Sequence, residues 1–382
     1  MTALVGSVAA CGPFFEERHA KLAAQLAAAL PVRRADLHGD PATAARAMGQ
    51  RDGGVGLYSH LVPSDPKGPL DVRTLVVVRE MLAQVSPMAD AIFAVQGLGS
   101  YPVFAFGSTE QRESIRAGVL AGDRIGAFAL TEPEAGTDVA SLSTRATRDG
   151  DGWILDGEKT LISNIGIAHH YVVFANADPA AGRKGITAFL VPARAEGVTE
   201  SALPLSSPHP LGGLVFRGCR VPDSARIGDV GQGFGIALAT LDAFRISVGA
   251  AANGMAARAL ALASDRIRAR KQFGKPLAEQ QQVQAYIADM ATELDAARLL
   301  VARAAYVKDT SSSRVTTEAA MAKMFATESA QRIIDRAVQL FGGGGVLLGS
   351  EVEALYRDIR PLRIYEGTTE IQRVVIARGL LG

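Results

Sequence analysis

Hydrophobic positions along this chain change period twice. From Phe14 to about Ala121 they recur at helical spacing, as at Leu75, Val76, Val78, Met81 and Leu82. Helix-start signals sit ahead of such runs. Asp40-Pro41 offers an N-cap and an N1 proline, Asp71 can cap the Leu75 run, and Ser108 with Gln111 has capping-box spacing before Ile115, Val119 and Leu120. Gly- and Pro-rich connections fall at Gly53-Gly54 and from Pro63 to Pro69. Near Gly126 the texture turns to short β-type runs. Thr144 to Arg148 and Trp153-Ile154-Leu155 flank the turn residues Asp149-Gly150-Asp151-Gly152 and predict a hairpin. Tyr171 to Phe174, Ile186 to Val191 and Leu214 to Phe216 predict further strands.

After Gly231 the helical period returns. One helix carries Ile236, Leu241, Ile246 and a small-residue stretch from Gly249 to Gly254 that permits close helix–helix approach. A second holds Val283, Ile287, Met290 and Leu294; a third holds Met321, Met324, Phe325, Ile333, Ile334 and Val338; a last follows Thr369. Four long helices with short connections predict a bundle. The expected fold is mainly α with a central β domain. It comprises an N-terminal α-helical domain over 1–125, a middle β domain (small barrel or sandwich) over 126–230, and a C-terminal four-helix bundle over 231–382.

Composition narrows the partners. Forty basic residues against 39 acidic ones leave a net charge of +1, which gives no electrostatic reason to expect nucleic acid or an anionic membrane. Apolar residues make up 48% of the 382, ordinary for a globular enzyme-sized chain, and no apolar stretch of about 18 residues predicts a membrane span. The two cysteines, Cys11 and Cys219, form no Cys-x-x-Cys pair, so neither a disulfide framework nor a cysteine metal site is expected. With no basic leader at the N-terminus, the expected location is the reducing cytoplasm.

Candidate chemistry centres on Tyr365-Glu366-Gly367-Thr368-Thr369-Glu370. Thr368 or Thr369 can cap a helix whose first turn holds Glu370, leaving Glu366 on a loop beside a glycine that admits close approach. A general base is presented in that way, although an ordinary solvated glutamate reads the same in isolation. Leu130-Thr131-Glu132-Pro133-Glu134-Ala135-Gly136-Thr137-Asp138 sets an apolar strand before a glycine turn carrying hydroxyls, suited to a polar ring and its phosphates or to a plain β-turn. Gly157 to Asn164 reads as a separate strand with hydroxyls at Thr160 and Ser163. Arg268 to Leu277 closes one helix with basic residues, and Gln339-Leu340-Phe341-Gly342-Gly343-Gly344-Gly345 closes another with four glycines where one would cap it.

In this order, Leu130-Thr131-Glu132-Pro133 with Gly136-Thr137-Asp138, Arg270-Lys271-Gln272-Phe273-Gly274, Gln339 with Gly342-Gly343, and Tyr365-Glu366-Gly367-Thr368 resemble the flavin-dependent acyl-CoA dehydrogenases. The likeness runs from about Phe14 to Gly382. It implies an FAD cofactor, lined by Leu130, Thr131, Gly136, Thr137 and Ser163, with Thr368 and Glu370 against it. Arg270, Gln272, Phe273, Gln339 and Gly343 would reach the FAD of a neighbouring subunit, which implies a homo-oligomer, the family being usually tetrameric. Glu366 matches the family's base. It would take the α-proton of an acyl-CoA thioester while the β-hydride passes to flavin N5, giving the trans-2-enoyl thioester. Substrate binding is expected to raise the pKa of Glu366 by desolvation.

The alternative base position of the family falls on Phe244, which cannot accept a proton. Ile92, Gln96, Tyr365 and Gly367 would lie near the substrate, with Asp242 and Arg245 towards the CoA side or as a helix-surface ion pair. Electrons would pass to an electron-transfer flavoprotein-type acceptor. Leu161 stands where many members cover the flavin with tryptophan, and Gly344 where many have asparagine. An oxidase, an acyl-carrier-protein dehydrogenase and a non-catalytic assembly subunit remain alternatives on this scaffold, and acyl chain length is not legible.

Overall fold

A computed structural model of the chain describes residues 4–49, 56–63, 68–311 and 314–382. The helix starts follow the capping chemistry of the sequence. Asp40 Oδ2 accepts from Thr43 N at 2.9 Å ahead of the Pro41–Gly49 helix, and Asp71 Oδ1 accepts from Thr74 N at 3.0 Å ahead of Val72–Val85. Ser108 and Gln111 form the reciprocal capping box of the Thr109–Ala121 helix. The expected Gly53-Gly54 connection, and residues 64–67 of the next one, lie outside the described residues.

Tertiary packing groups the chain into two compact units. The first comprises Met1–Ala35, Asp71–Asp90 and Arg245–Gly382; the second comprises Asp36–Leu70 and Ala91–Phe244. The N-terminal helices divide between them: Glu17–Val32 and Val72–Val85 belong to the first, Pro41–Gly49 and Thr109–Ala121 to the second.

The second unit is built on strands β1 (Gly126–Ala129), β2 (Arg145–Asp149), β3 (Gly152–Ser163), β4 (His170–Asn176), β5 (Ile186–Pro192), β6 (Val198–Ala202), β7 (Leu211–Pro222) and β8 (Arg226–Ile227). They form one sheet in the order β6-β7-β3-β2-β4-β5-β8, with β1 joined to β4 in parallel. The predicted hairpin is present as β2–β3, with Asp149 opposite Gly152. Gly157 to Asn164, expected as a strand of its own, instead continues β3 beyond a bulge between Leu155 and Gly157. At Gly157 φ is 147° and an added Cβ would lie 2.7 Å from the Thr144 backbone, so only glycine carries the strand through that bend. Strand β4 is covered on both faces. Tyr171, Val173 and Ala175 pack with Trp153 and Phe189, while Val172 and Phe174 pack with Ile115 and Val119 of the Thr109–Ala121 helix. That double burial is why β4 reads as a continuous apolar run rather than an alternation.

The turn after β1 is pinned from inside. Glu132 accepts from Ser143 N at 2.6 Å, Thr144 N at 3.0 Å and Lys159 Nζ at 2.8 Å, and Lys159 also donates to Leu130 O at 3.1 Å. Both side chains are buried. At Glu132 burial is outweighed by Lys159 and these donors, which hold the carboxyl at about 2, whereas at Lys159 burial wins and brings the ammonium down to about 8.

The first unit holds the bundle. Its helices are the part of Gly233–Ala269 from Arg245 onward, Gln281–Thr310, Thr316–Phe341 and Thr369–Leu381, with an additional Glu351–Ile359 helix that apolar spacing did not reveal. Close approach occurs at the small residues. A Cβ on Gly249 would lie 2.7 Å from Val301 Cγ2, and one on Gly254 would lie 2.2 Å from Glu80 O. The inward face of Thr316–Phe341 differs from expectation: Ala319, Ala322, Ala326 and Ala330 are buried, whereas Met321, Met324 and Phe325 are only half-buried. Alanine lets the helices close up, so the larger residues sit at the margins. Contrary to the sequence expectation, Gly233–Ala269 is long and apolar enough over one stretch to cross a membrane. However, 67% of that stretch is buried within the protein, as in a core helix.

Removing one partner of a buried ion pair strands the other, so Glu132→Ala should cost about 3–5 kcal/mol. Denaturant unfolding followed by Trp153 fluorescence measures this, because Trp153 is the only tryptophan and lies in this unit. The double variant Glu132→Leu/Lys159→Met should recover most of the loss. Since Glu132 is depressed to about 2 when folded, its contribution is complete above the ordinary carboxylate pKa and lost as pH falls towards 2. The double variant should lack that acid-side loss.

Candidate active site

Glu366 lies on a loop whose two ends are fastened to the Thr316–Phe341 helix. Glu328 on that helix accepts from Arg363 Nε at 2.8 Å and from Thr369 Oγ1 at 2.7 Å. One turn earlier Lys323 Nζ donates to Gly367 O at 2.7 Å. Thr368 is the N-cap of Thr369–Leu381, its hydroxyl accepting from Ile371 N, with Glu370 in the first turn. Between these ties the backbone turns left-handed twice, at Glu366 (φ 51°) and Gly367 (φ 91°). A non-glycine residue seldom adopts that conformation, and when it does the surroundings must hold it there.

The side chain is enclosed although the residue as a whole is half-buried. Glu366 Oε2 is shut off from solvent and has no hydrogen-bond partner; among the described residues it is the one carboxylate oxygen in that condition. Burial pushes its pKa above the ordinary 4.5, Arg79, Arg245 and Lys323 pull it back, and Asp90 adds to the rise. Arg79 and Asp90 make a buried bidentate pair at 2.9 and 2.8 Å, and Arg79 Nη1 donates to Ser247 Oγ at 3.0 Å. At Arg79 burial opposes the charge, but the Asp90 carboxylate outweighs it and holds the guanidinium above its ordinary pKa. Tyr365, next in the chain, is raised by burial, against the nearby Arg79 charge. This arrangement suits proton abstraction: a carboxylate oxygen kept from water and uncommitted, with the burial penalty partly offset by positive charge at a distance.

In the second unit, Leu130 is buried at the end of β1, Thr131 is half-buried, and Gly136 and Thr137 are exposed on the turn that Glu132 pins. Thr160 N donates to Thr131 O at 2.9 Å, so this turn lies against β3. There Leu161 has φ 55° and is 58% exposed. Ser163 Oγ lies 2.7 Å from His209 Nε2, and burial lowers His209 to about 4, so its ring is neutral at pH 7. An exposed apolar side chain bordered by hydroxyls fits a flat apolar ring with a polar edge. Ile92 and Gln96 are buried in the same unit, and the Gln96 amide is committed to Arg124 O and Gly126 N. Asp242 and Arg245 are half-buried on the Gly233–Ala269 helix, and Phe244 is buried with its ring 6.1 Å from that of Tyr101.

The remaining predicted residues lie on the surface of the first unit. Arg270 precedes, and Gln272 lies in, a two-stranded hairpin that pairs Lys271–Gln272 with Lys275–Pro276, rather than a plain helix end. Its tip, Phe273-Gly274, has φ 52° and 77°, and Phe273 is 97% exposed. Gln339 and Gly343 are exposed where Thr316–Phe341 ends and the glycine run begins.

Family models agree with both ends of this description. Residues 127–219 match the acyl-CoA dehydrogenase middle domain and residues 231–381 the acyl-CoA dehydrogenase C-terminal domain. The human mitochondrial short-chain specific acyl-CoA dehydrogenase is 41% identical over 335 residues, covering 86% of this chain and 81% of that protein. The chain belongs to the acyl-CoA dehydrogenase family. Butyryl-CoA dehydrogenase from Megasphaera elsdenii superposes with a TM-score of 0.86 at 33% identity, covering 96% of this chain and 98% of that one. A glutaryl-CoA dehydrogenase from Mycobacterium smegmatis in complex with FADH2 superposes at 0.86 and 26% identity, covering 97% and 96%.

Sequence reasoning missed several residues around Glu366 in this acyl-CoA dehydrogenase family member: Arg79, Asp90, Lys323 and Gln372. Lys323 left a trace, as a lysine within the alanine stripe Ala319, Ala322, Ala326. Arg79 and Asp90 lie in a stretch that reads only as helical, and tertiary packing is what brings them near Glu366.

Isotope-edited infrared difference spectra, assigned by the band lost in Glu366→Gln, should show Glu366 holding its proton to a pH above 4.5. Asp90→Asn should lower the midpoint and Arg245→Gln should raise it, since they remove opposite charges. A midpoint at or below 4.5 in the native protein would contradict this electrostatic account.

Proposed function

We propose that this enzyme removes hydrogen from the α and β carbons of an acyl-CoA thioester, giving the trans-2-enoyl-CoA, with Glu366 as the base that takes the α-proton. One observation carries the reading: Glu366 Oε2 is enclosed, near three cationic side chains and free of any hydrogen bond. A C–H beside a thioester carbonyl is a very weak acid, so its base must be dry and aimed, and the carbonyl oxygen must meet donors. The Glu366 backbone N–H, beside the reactive carboxylate, is the donor this chain offers. Tyr365 and Gly367 would flank the acyl group, and Ile92, Gln96, Asp242 and Arg245 are the further substrate-side candidates that the family likeness names.

The cofactor is FAD. Leu130, Thr131, Gly136, Thr137 and Ser163 would hold it, and their hydroxyls, backbone and exposed Leu161 suit its flat ring; Thr368 and Glu370 are the cofactor candidates that the family likeness names on the first unit. When bound, FAD supplies the acceptor for the two electrons that leave with the β-hydrogen. Arg270, Gln272, Phe273, Gln339 and Gly343 serve a neighbouring copy's cofactor in a homotetramer. The exposed Phe273, and the exposed Val346, Leu347 and Leu348 that follow the glycine run, support surfaces that another copy covers. A flavoprotein carrier takes the electrons onward.

A second reading, an oxidase, draws on Leu161, because an aliphatic side chain covers less of a flat ring than tryptophan and leaves oxygen an approach. Oxygen uptake without added acceptor would select it.

Glu366→Gln should retain FAD and thioester binding while losing α-proton exchange and anaerobic flavin bleaching by at least ~10³-fold. Retained exchange would assign the base elsewhere. Anaerobic bleaching by short, long, branched and cyclic acyl-CoA esters should show butyryl-CoA among the best, in keeping with the short-chain and butyryl relatives. No response to any CoA ester would favour carrier-bound acyl groups.

A further inference from the structure

Two buried donors converge on the carbonyls of the turn that carries Glu366. Lys323 Nζ donates to Gly367 O at 2.7 Å, and Gln372 Nε2 donates to Glu366 O at 3.2 Å and to Gly367 O at 2.9 Å. Both Lys323 and Gln372 are fully buried. The fit is tight, since a Cβ on Gly367 would lie 2.5 Å from Gln372 Nε2. Burying a lysine is expensive, and packing does not call for one here. Its neighbours on that helix face include Ala319, Ala320 and Ala326, so a methionine would fill the space. What an ammonium adds is a charge-assisted hydrogen bond to a strained turn and a positive charge beside the carboxylate.

We propose that Lys323 is a positioning residue for Glu366: with Gln372 it grips the two carbonyls of the left-handed turn, fixing the direction of the carboxylate and favouring its ionised form. The inference rests on Glu366 acting as the base. Two effects are separable in it. The hydrogen bond sets geometry, and a misplacement of about 1 Å at a reacting group costs on the order of 10²-fold in rate. The charge sets ionisation. The groups facing the pair are Arg79 on Val72–Val85, Asp90, Arg245 on Gly233–Ala269, Glu328 on Thr316–Phe341, and Glu370 on Thr369–Leu381. Lys323 is one of three cations acting on Glu366, so its loss leaves Arg79 and Arg245 to oppose burial and Asp90, and the proton affinity of Glu366 must rise.

The test compares holoenzyme kcat and KM against pH, with butyryl-CoA as substrate, for the native protein, Lys323→Met, Lys323→Gln and Glu366→Gln. Methionine removes both donor and charge, whereas glutamine keeps a donor. Lys323→Met should lower kcat about 10²-fold with KM within about threefold. In both Lys323 variants the acid limb of kcat should move to higher pH, and Lys323→Gln should keep much more of the kcat plateau. A folded Lys323→Met enzyme with native kcat and acid limb overturns the proposal. Equal rate losses in both variants with an unmoved limb also overturn it, because that pattern belongs to a purely structural lysine. Should Lys323→Met fail to fold, the limb of Lys323→Gln decides alone: shifted upward it supports the proposal, unmoved it overturns it. A Glu366→Gln enzyme that still turns over removes the base assignment itself, and the positioning role with it.

Discussion

An enclosed carboxylate on a left-handed turn is the constraint around which the first unit is arranged. A glutamate at φ 51° carries strain of about 1–3 kcal/mol, and an enclosed oxygen without a partner adds a desolvation penalty. Neither persists unless the surroundings leave the chain no cheaper geometry. Here the loop is tied at Arg363 and Thr369 to Glu328, at Gly367 to Lys323, at the Glu366 and Gly367 carbonyls to Gln372, and at Thr368 to the helix it caps. All of these ties come from the Thr316–Phe341 and Thr369–Leu381 helices. The bundle therefore does more than bury alanines; it supplies the rigid frame that keeps a strained residue in place.

The same device recurs in the second unit with a different outcome. Lys159, as buried as Lys323, donates to Leu130 O in the motif turn of the β sheet, and burial lowers both ammonium groups to about 8. Lys159 has a hydrogen-bonded carboxylate, Glu132, at 2.8 Å. The hydrogen bond of Lys323 goes to a carbonyl, while the carboxylate that acts most strongly on its charge is Glu366. One lysine is neutralised locally and serves as a pin. The other leaves its charge to act on Glu366, whose Oε2 carries no hydrogen bond.

Much of this was legible in the sequence because it is local. The caps at Asp40, Asp71, Ser108 and Thr368 are satisfied within three residues, and the β2–β3 hairpin is set by its own turn. The family motifs led to Glu366 for the same reason, being short and contiguous. What escaped was non-local or carried by small residues. Alanine gives little apolar contrast, so the apolar spacing of Thr316–Phe341 points to Ile333 and Ile334, which are buried, but also to Met321, Met324 and Phe325, and misses the alanines. The bulge before Gly157 broke one strand into two apparent ones. Arg79, Asp90 and Lys323 look like surface charges until packing places them inside.

The way the charges are arranged about Glu366 also bears on basicity. Direct hydrogen bonds to a carboxylate stabilise its charged form strongly, and two or three of them can hold its pKa below about 2. Such a group stays ionised but is a feeble base. Burial alone does the reverse, leaving a strong base that is protonated and idle. Cations that act through space without hydrogen-bonding the reactive oxygen strike a compromise, since each offsets part of the burial penalty while the lone pairs stay uncommitted. Glu132 illustrates the first regime, held near 2 by its donors. Glu366 lies in the third: its pKa is raised above 4.5, it is moderated by Arg79, Arg245 and Lys323, and Oε2 is free. Two glutamates of one chain thus differ, one a fastener and one with an uncommitted oxygen, through the placement of their positive neighbours, on the oxygen in one case and around it in the other.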